Sequence, residues 1–355
     1  MTPSHRGHGA VYLALGALLL VLLYLSASTG ALHFSPAEMR RYLAQGILGA
    51  PVAPHDALGR GVFLQLRLPR VILAALTGAV LGVSGTLMQG LFRNPIVEPG
   101  LAGTSAGAAL GAALVFVLGG PGSLAAPLGA FAVPLLAFAG GFAATLVVYR
   151  ASSAFGKVNV FTLLLAGIAV NAVCTAGTGL LSYLARDPQA RNITFWNLGT
   201  FTTADWRGVM LVGVVFAAGF AMVLRQGKPL NALMLGEDEA AYLGIDPQRL
   251  IVRLLVLNTL MVAVATALVG VIAFVGLLVP HLLRMLRSAD YTFLLPASAL
   301  LGAALMLAID VVARLVVRPA ELPIGIITAF VGAPVFLAIL LRQQRRASGG
   351  AGVNG

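Results

Sequence analysis

Side chains able to do acid–base, nucleophilic or metal chemistry are sparse in this 355-residue chain, and they do not cluster. His5, His8, His33 and His55 sit in loops that flank apolar runs, and no spacing among the histidines matches a metal-ligand set. His281 follows Pro280 inside an apolar run, where a structural histidine fits better than a ligand. The single cysteine, Cys174, excludes an intrachain disulfide. Lys157 and Lys228 are the only lysines among 23 basic residues, and neither GKV nor GKP completes the G-x-x-x-x-G-K-[ST] loop that cradles nucleotide phosphates. The chain is therefore expected to be neither an ATPase nor any other enzyme, and to hold no cofactor or metal. One polar pattern does recur: Asn171, Thr175, Thr178 and Ser182 fall at i, i+4, i+7 and i+11, on one helical face. Such a stripe either borders a polar path or hydrogen-bonds a neighbouring helix.

The elements that carry this stripe belong in a membrane. With 59% hydrophobic residues, 10% charged and a mean hydropathy of +0.94, the chain lacks the charge a soluble surface needs, roughly a quarter of residues. The formal charge of +11 is dispersed between apolar runs, so no phosphate-tracking face forms and nucleic acid is not an expected partner. Membrane lipid is.

Ten spans are read from the hydropathy: 10–27, 69–92, 101–119, 126–149, 161–184, 206–225, two short ones within 250–286, 293–316 and 322–341. The 37 apolar residues from 250 to 286 would reach about 55 Å as one helix, too far for one crossing, so a break is placed near Gly270 to Gly276. A cleaved signal peptide is considered for the first run, but its length favours a retained span. The 30–66 segment reads as a short amphipathic helix and a surface loop, 186–205 as an interfacial segment with Trp196 at headgroup level, 226–249 as an aqueous loop and 343–355 as a flexible tail. Residues 1–355 thus form one transmembrane domain. With both termini cytoplasmic, thirteen Lys and Arg residues fall inside and ten outside, and the outer face is unusually rich in arginine for the side the rule disfavours. Spans two to five and seven to ten have similar lengths and opposite orientations, the mark of an inverted repeat.

The richest stretch is Leu66–Gly111. Pro69, between Arg67 and Arg70, is suited to a first helical turn, so the second span is expected to begin there. Gly78 and Gly82, then Gly103, Gly107 and Gly111, fall four apart and make flat strips for close helix contact.

LRLPR at 66–70, QGLFRNPIVEPGLAGTSAGAALGA at 89–112, AFVGLLVPHLLR at 273–284 and ELPIGIITAFVGAP at 321–334 resemble the permease subunits of ABC importers for ferric siderophores, haem and cobalamin. The resemblance covers most of the chain beyond residue 60, and NPIVEPGLAGTSAGAALG is most like the haem permeases. It implies an all-α polytopic membrane protein of the type II ABC importer fold, forming the channel of an ATP-driven importer that moves a bulky iron chelate, haem first, into the cytoplasm by alternating access. It also implies a bacterial inner-membrane location, a homodimer, two cytoplasmic ATPase subunits that use ATP and magnesium, and a periplasmic binding protein.

Residue by residue, the resemblance assigns Arg67, Arg70 and Arg314 to docking of the binding protein, against snorkelling at helix ends. It assigns Glu237, Asp238, Glu239, Ala240, Ala241 and Gly244 to ATPase coupling, although two residues rather than three precede this glycine and no LP pair follows. It tips the span-five stripe towards the translocation path, and places Asn94, Ile96, Val160 and Phe161 at a cytoplasmic gate, against plain helix-boundary turns. Ferric siderophore and cobalamin remain alternative cargoes. An ion-coupled secondary transporter is the alternative of another class, disfavoured because the spans are nearly free of ionisable residues.

Overall fold

The computed structural model of the chain describes residues 6–47, 56–120, 122–123, 125–154, 157–317 and 319–350. His5, His55, residues 48–55 of the 30–66 segment, Arg318 and the last five residues of the tail lie outside them. In chain order the helices are α1 (Arg6–Ser28), α2 (Pro36–Ile47), α3 (Ala57–Gly61), α4 (Leu68–Leu91), α5 (Thr104–Leu118), α6 (Ala132–Ser152), α7 (Val160–Leu184), α8 (Gln189–Asn197), α9 (Trp206–Leu224), α10 (Gly227–Leu233), α11 (Glu237–Tyr242), α12 (Pro247–Val269), α13 (Val275–Leu286), α14 (Tyr291–Leu315) and α15 (Ile324–Gly350). Between α6 and α7 a small antiparallel hairpin pairs β1 (Ser153–Ala154) with β2 (Lys157–Val158).

Seven helical segments are long and apolar enough to cross a bilayer, and three shorter apolar ones, Thr104–Leu118, Val275–Leu286 and Ile324–Ala338, bring the total among the described residues to ten. These match the ten expected spans in order. The break expected near Gly270 is present: α12 stops at Val269, Gly270 and Phe274 take positive φ of 79° and 69°, and α13 starts at Val275.

Two boundaries differ from the sequence reading. The second span does not begin at Pro69, because helix runs from Ala57 through a π-helical turn, Val62–Arg67, into α4. The wider turn lets the N–H of Leu68 reach the carbonyl of Phe63, so the proline, which has no N–H to offer, is carried inside a continuous rod. Trp196 is half-buried against Ala108, Ala112, Ala137 and Ala267. Its segment is spliced by backbone bonds to two others, with Thr200 N–H donating to the Val269 carbonyl at 2.8 Å and Ile324 N–H to that of Gly199 at 3.0 Å. Finally, the 343–355 tail is helical as far as Gly350.

α2 is amphipathic, as expected, and starts with a capping box: Ser35 N–H donates to the Glu38 carboxylate at 2.8 Å, and Glu38 N–H donates to Ser35 Oγ at 3.3 Å. The bond from the Ser35 backbone holds the Glu38 carboxyl below its ordinary range. α1 lies along α14, with His8 stacked on Phe293 at 4.8 Å.

The glycine strips set the two tightest helix crossings. A Cβ at Gly78 would land on the carbonyl of Gly302 and one at Gly302 on that of Gly78, so α4 and α14 touch backbone to backbone. Gly107 and Gly140 do the same for α5 and α6. A hydroxyl pair ties each crossing: Thr86 with Ser298 at 2.7 Å, and Thr104 with Thr145 at 2.8 Å. The bundle has two ends. Arg70 marks one, at the start of α4; Arg93, just past the end of α4, marks the other.

Candidate functional site

At the arginine end, the three arginines grouped by sequence meet around Asp310, which is fully buried. Arg70 donates through Nε and Nη2 to Asp310 Oδ1 at 3.0 and 2.9 Å, and through Nη1 to both Glu321 oxygens at 2.9 and 2.7 Å. Arg314, one turn after Asp310 on α14, pairs with its Oδ2 at 3.0 Å and donates to the carbonyls of Ser26 and Thr29 at 3.2 and 2.6 Å. Arg67 donates to the carbonyls of Thr29 and Leu32 and lies over the Phe34 ring, 5.9 Å away. All three guanidiniums are thus engaged within the chain. Arg67 and Arg314 are only 8% and 7% exposed, which rules out the simple snorkelling weighed for them.

Midway along α7, the polar stripe borders open space. Asn171 and Thr175 line a cavity of about 300 Å³ together with Glu98, Ser105, Asn197 and the unwound 271–273 segment. Thr175, Thr178 and Ser182 line a second, of about 380 Å³, which shares Ala106, Ala109, Thr175 and Asn197 with the first. The stripe's hydrogen bonds run to a neighbouring segment from Asn171 and stay within α7 from Thr178. Asn171 Nδ2 donates to the carbonyls of Gly100 and Leu101 at 3.3 and 3.4 Å, and Thr178 Oγ1 to that of Cys174 at 2.9 Å. Along α7 itself, Phe161, Leu165, Ile168, Leu180 and Tyr183 are exposed.

Glu98 escaped the sequence reading. Its Oε1 accepts the N–H of Phe274 at 2.7 Å, which joins the unwound lead into α5 to the unwound lead into α13. A lone acid between Pro95 and Pro99 was the available signal.

The opposite end gathers on Glu237. Its carboxylate meets Arg93 at 3.5 Å and accepts from Gln248 Nε2 at 3.4 Å, while Gln248 Oε1 accepts the N–H of Val158 at 2.7 Å. The 92–98 turn and the β1–β2 hairpin are therefore tied to α11 from either side. Asp238, Glu239, Ala241 and Gly244 are exposed, Ala240 is fully buried as the anchor of α11, and Tyr242 stands 91% exposed. Positive φ at Gly236 and Gly244, 145° and 81°, turns the chain into and out of this short helix.

The four expected gate residues sit at these two turns. Asn94 Oδ1 accepts Ile96 N–H at 3.0 Å, Asn159 caps α7 below Val160, and Ile96 and Phe161 are 49% and 69% exposed. α10 is latched to α14: Asn231 donates to Asp290 Oδ1 at 2.7 Å and accepts the N–H of Tyr291 at 2.9 Å. Burial acts to raise the Asp290 carboxyl, but the bonds from Asn231 and Thr292 outweigh it and hold the group below its ordinary range. Among the described residues no group of three or more His, Cys, Asp or Glu side chains is placed to hold a metal ion.

A bundle of ten apolar helical segments with a cavity beside broken helices, and an acidic knob at one end, is the arrangement of a membrane transport subunit. The chain belongs to the FecCD transport family, which it matches over residues 18–342. It is 41% identical to the hemin transport system permease protein HmuU of Yersinia pestis over 340 residues, 95% of this chain and 98% of that one. It is also 41% identical to the vitamin B12 import system permease protein BtuC of Salmonella typhi, over 83% of this chain and 89% of that one. Among solved structures, an inward-facing metal-chelate type ABC transporter superposes with a TM-score of 0.81 at 31% identity, covering 94% of this chain and 99% of that one. The protein is a permease of the ABC importer class, which decides against the ion-coupled transporter.

Proposed function

We propose that the chain forms half of the central path of a haem importer. The observation that carries this is the face of α7, where the polar stripe lines two adjoining cavities while much of the same helix lies uncovered. A second copy of the chain facing α7 would close that surface into a conduit. The homodimer works with two cytoplasmic ATPase subunits, which use ATP and magnesium, and with a periplasmic binding protein that hands the chelate down. The chain sits in the bacterial inner membrane with both termini cytoplasmic, so the Glu237 end faces the ATPases and the arginine end faces the periplasm.

In this reading α11 and its flanks are the coupling element. Closure of the ATPase dimer moves α11, and through Glu237 the motion reaches the turns that hold Asn94, Ile96, Val160 and Phe161, the cytoplasmic gate. Arg67, Arg70 and Arg314 make the docking site for the binding protein's carboxylates. Haem is preferred to a ferric siderophore or cobalamin because, over nearly the full length of both chains, identity to the hemin permease is 41% against 38% to a vitamin B12 permease. Among the described residues no metal-ligating cluster lines the cavities, in keeping with an iron held within its organic cage.

Uptake by proteoliposomes containing this chain and its ATPase, with ATP inside and a loaded binding protein outside, tests the reading. ATP-dependent haem uptake is expected. Uptake of a ferric siderophore or cobalamin alone would keep the mechanism and replace the cargo, and no ATP-dependent uptake of any of the three would overturn both.

A further inference from the structure

The arginine cluster is unbalanced among the described residues: of three neighbouring guanidiniums, Arg70 and Arg314 pair with the two carboxylates Asp310 and Glu321, while Arg67 donates to backbone carbonyls. Those carboxylates differ in kind. Asp310 is sealed between Arg70 and Arg314, whereas the side chain of Glu321 is 36% exposed and meets Arg70 through Nη1 alone.

We propose that Glu321 is a placeholder, filling in the free permease the outward edge of Arg70 that a carboxylate of the docking binding protein takes over. The proposal rests on the reading of this cluster as the docking site, and it divides the three arginines. Arg70 is the contact. Arg67 and Arg314 are positioning residues, because their donors are directed at the carbonyls of Ser26, Thr29 and Leu32 and no outside carboxylate reaches them without dismantling that turn.

Three observations support the exchange. Glu321 meets Arg70 from the exposed side of the pair, and an incoming carboxylate restores the counter-charge to Arg70, so the exchange costs little. The Arg70 fork is held in place from behind by Asp310, so it presents Nη1 already oriented to an incoming carboxylate. The backbone beside Glu321 is pinned, with Leu322 N–H donating to the Ala313 carbonyl at 3.1 Å, so a rotation of the Glu321 side chain is enough to clear the site. The placeholder also keeps the edge of Arg70 satisfied between docking events and makes stray anions compete for it.

The test is affinity of the binding protein for the permease–ATPase complex in nanodiscs across a salt series, using the unaltered chain, E321Q, E321A, R70Q and the R70Q/E321Q pair. Removing the competitor is expected to tighten binding roughly two- to five-fold at low salt, with the gain shrinking as salt rises. R70Q is expected to weaken binding about ten-fold or more, and E321Q to give no gain in its presence. If R70Q weakens binding while E321Q and E321A leave it unchanged or weaken it too, the placeholder is wrong and the docking site stands. If R70Q has no effect, the docking reading fails and takes the placeholder with it. Melting temperature and elution volume of each complex separate these outcomes from misfolding.

Discussion

Asp310 shows at the scale of one residue how far a sequence can be read. Its i, i+4 relation to Arg314 is visible in the chain, and a helix delivers it as a 3.0 Å pair. The partner that defines its role, Arg70, lies 240 residues away, and only the α4–α14 crossing brings it to 2.9 Å. The arginines were therefore legible as a group and illegible as a buried network. Asp310→Ala leaves two buried guanidiniums without their shared counter-charge and is expected to destabilise the protein by about 3–5 kcal/mol, the cost of breaking a buried pair from one side. Asp310→Asn, which keeps an acceptor without the charge, should fall between it and the unaltered chain. Thermal unfolding in detergent ranks the three, and equal stability of all of them would show that the cluster is solvated rather than buried.

Elements were legible where a single periodicity governs them. The glycines four apart on α4 announced a close crossing, and the structure supplies the partner, Gly302, which no local pattern could name. Gly302→Ala drives a methyl onto the Gly78 carbonyl, so a loss of about 1–3 kcal/mol is expected, typical of overpacking. Gly16→Ala on α1, where a Cβ meets nothing within 4 Å, is the control and should change little. The start of the second span was illegible for a related reason. Proline signals a helix start, but a π-helical turn ahead of it lets the rod continue, and that turn leaves no mark in composition. Asn231 belongs to this scale too, since one amide fastens α10 to the first turn of α14. Asn231→Ala removes a donor from Asp290 and an acceptor from Tyr291 N–H, a loss of about 1–3 kcal/mol confined to that joint. Its expected signature is less substrate moved per ATP hydrolysed, read by measuring uptake and hydrolysis on the same proteoliposomes.

Across the whole molecule, contacts come in pairs that exchange the two halves. The crossing of α4 with α14 has its counterpart in that of α12 with α6, and the contact of α5 with α12 in that of α13 with α4. Each half also carries a short third helix entered through a break in the α-helix, a 3-10 turn at Pro99–Ala102 before α5 and non-helical backbone at 270–274 before α13, and Glu98 bonds one break to the other. A substrate path at the meeting point of two such halves is the usual arrangement in transporters built from inverted repeats. That symmetry accounts for the cavity's place beside the two breaks but not for its open side, where Thr175 and much of α7 are exposed.

The second copy is what would enclose it, and this can be tested directly. Gly179 lines the second cavity beside Thr175 and Thr178, and a Cβ there meets open space. In a Cys174→Ser background, Gly179→Cys is expected to cross-link two chains under mild oxidation in membranes. Val173→Cys is the control: it is 70% exposed and lies about 180° away around the helix from the stripe. Cross-linking at 179 and not at 173 places the stripe between copies; the reverse result would turn α7 around and move the path off the dimer axis.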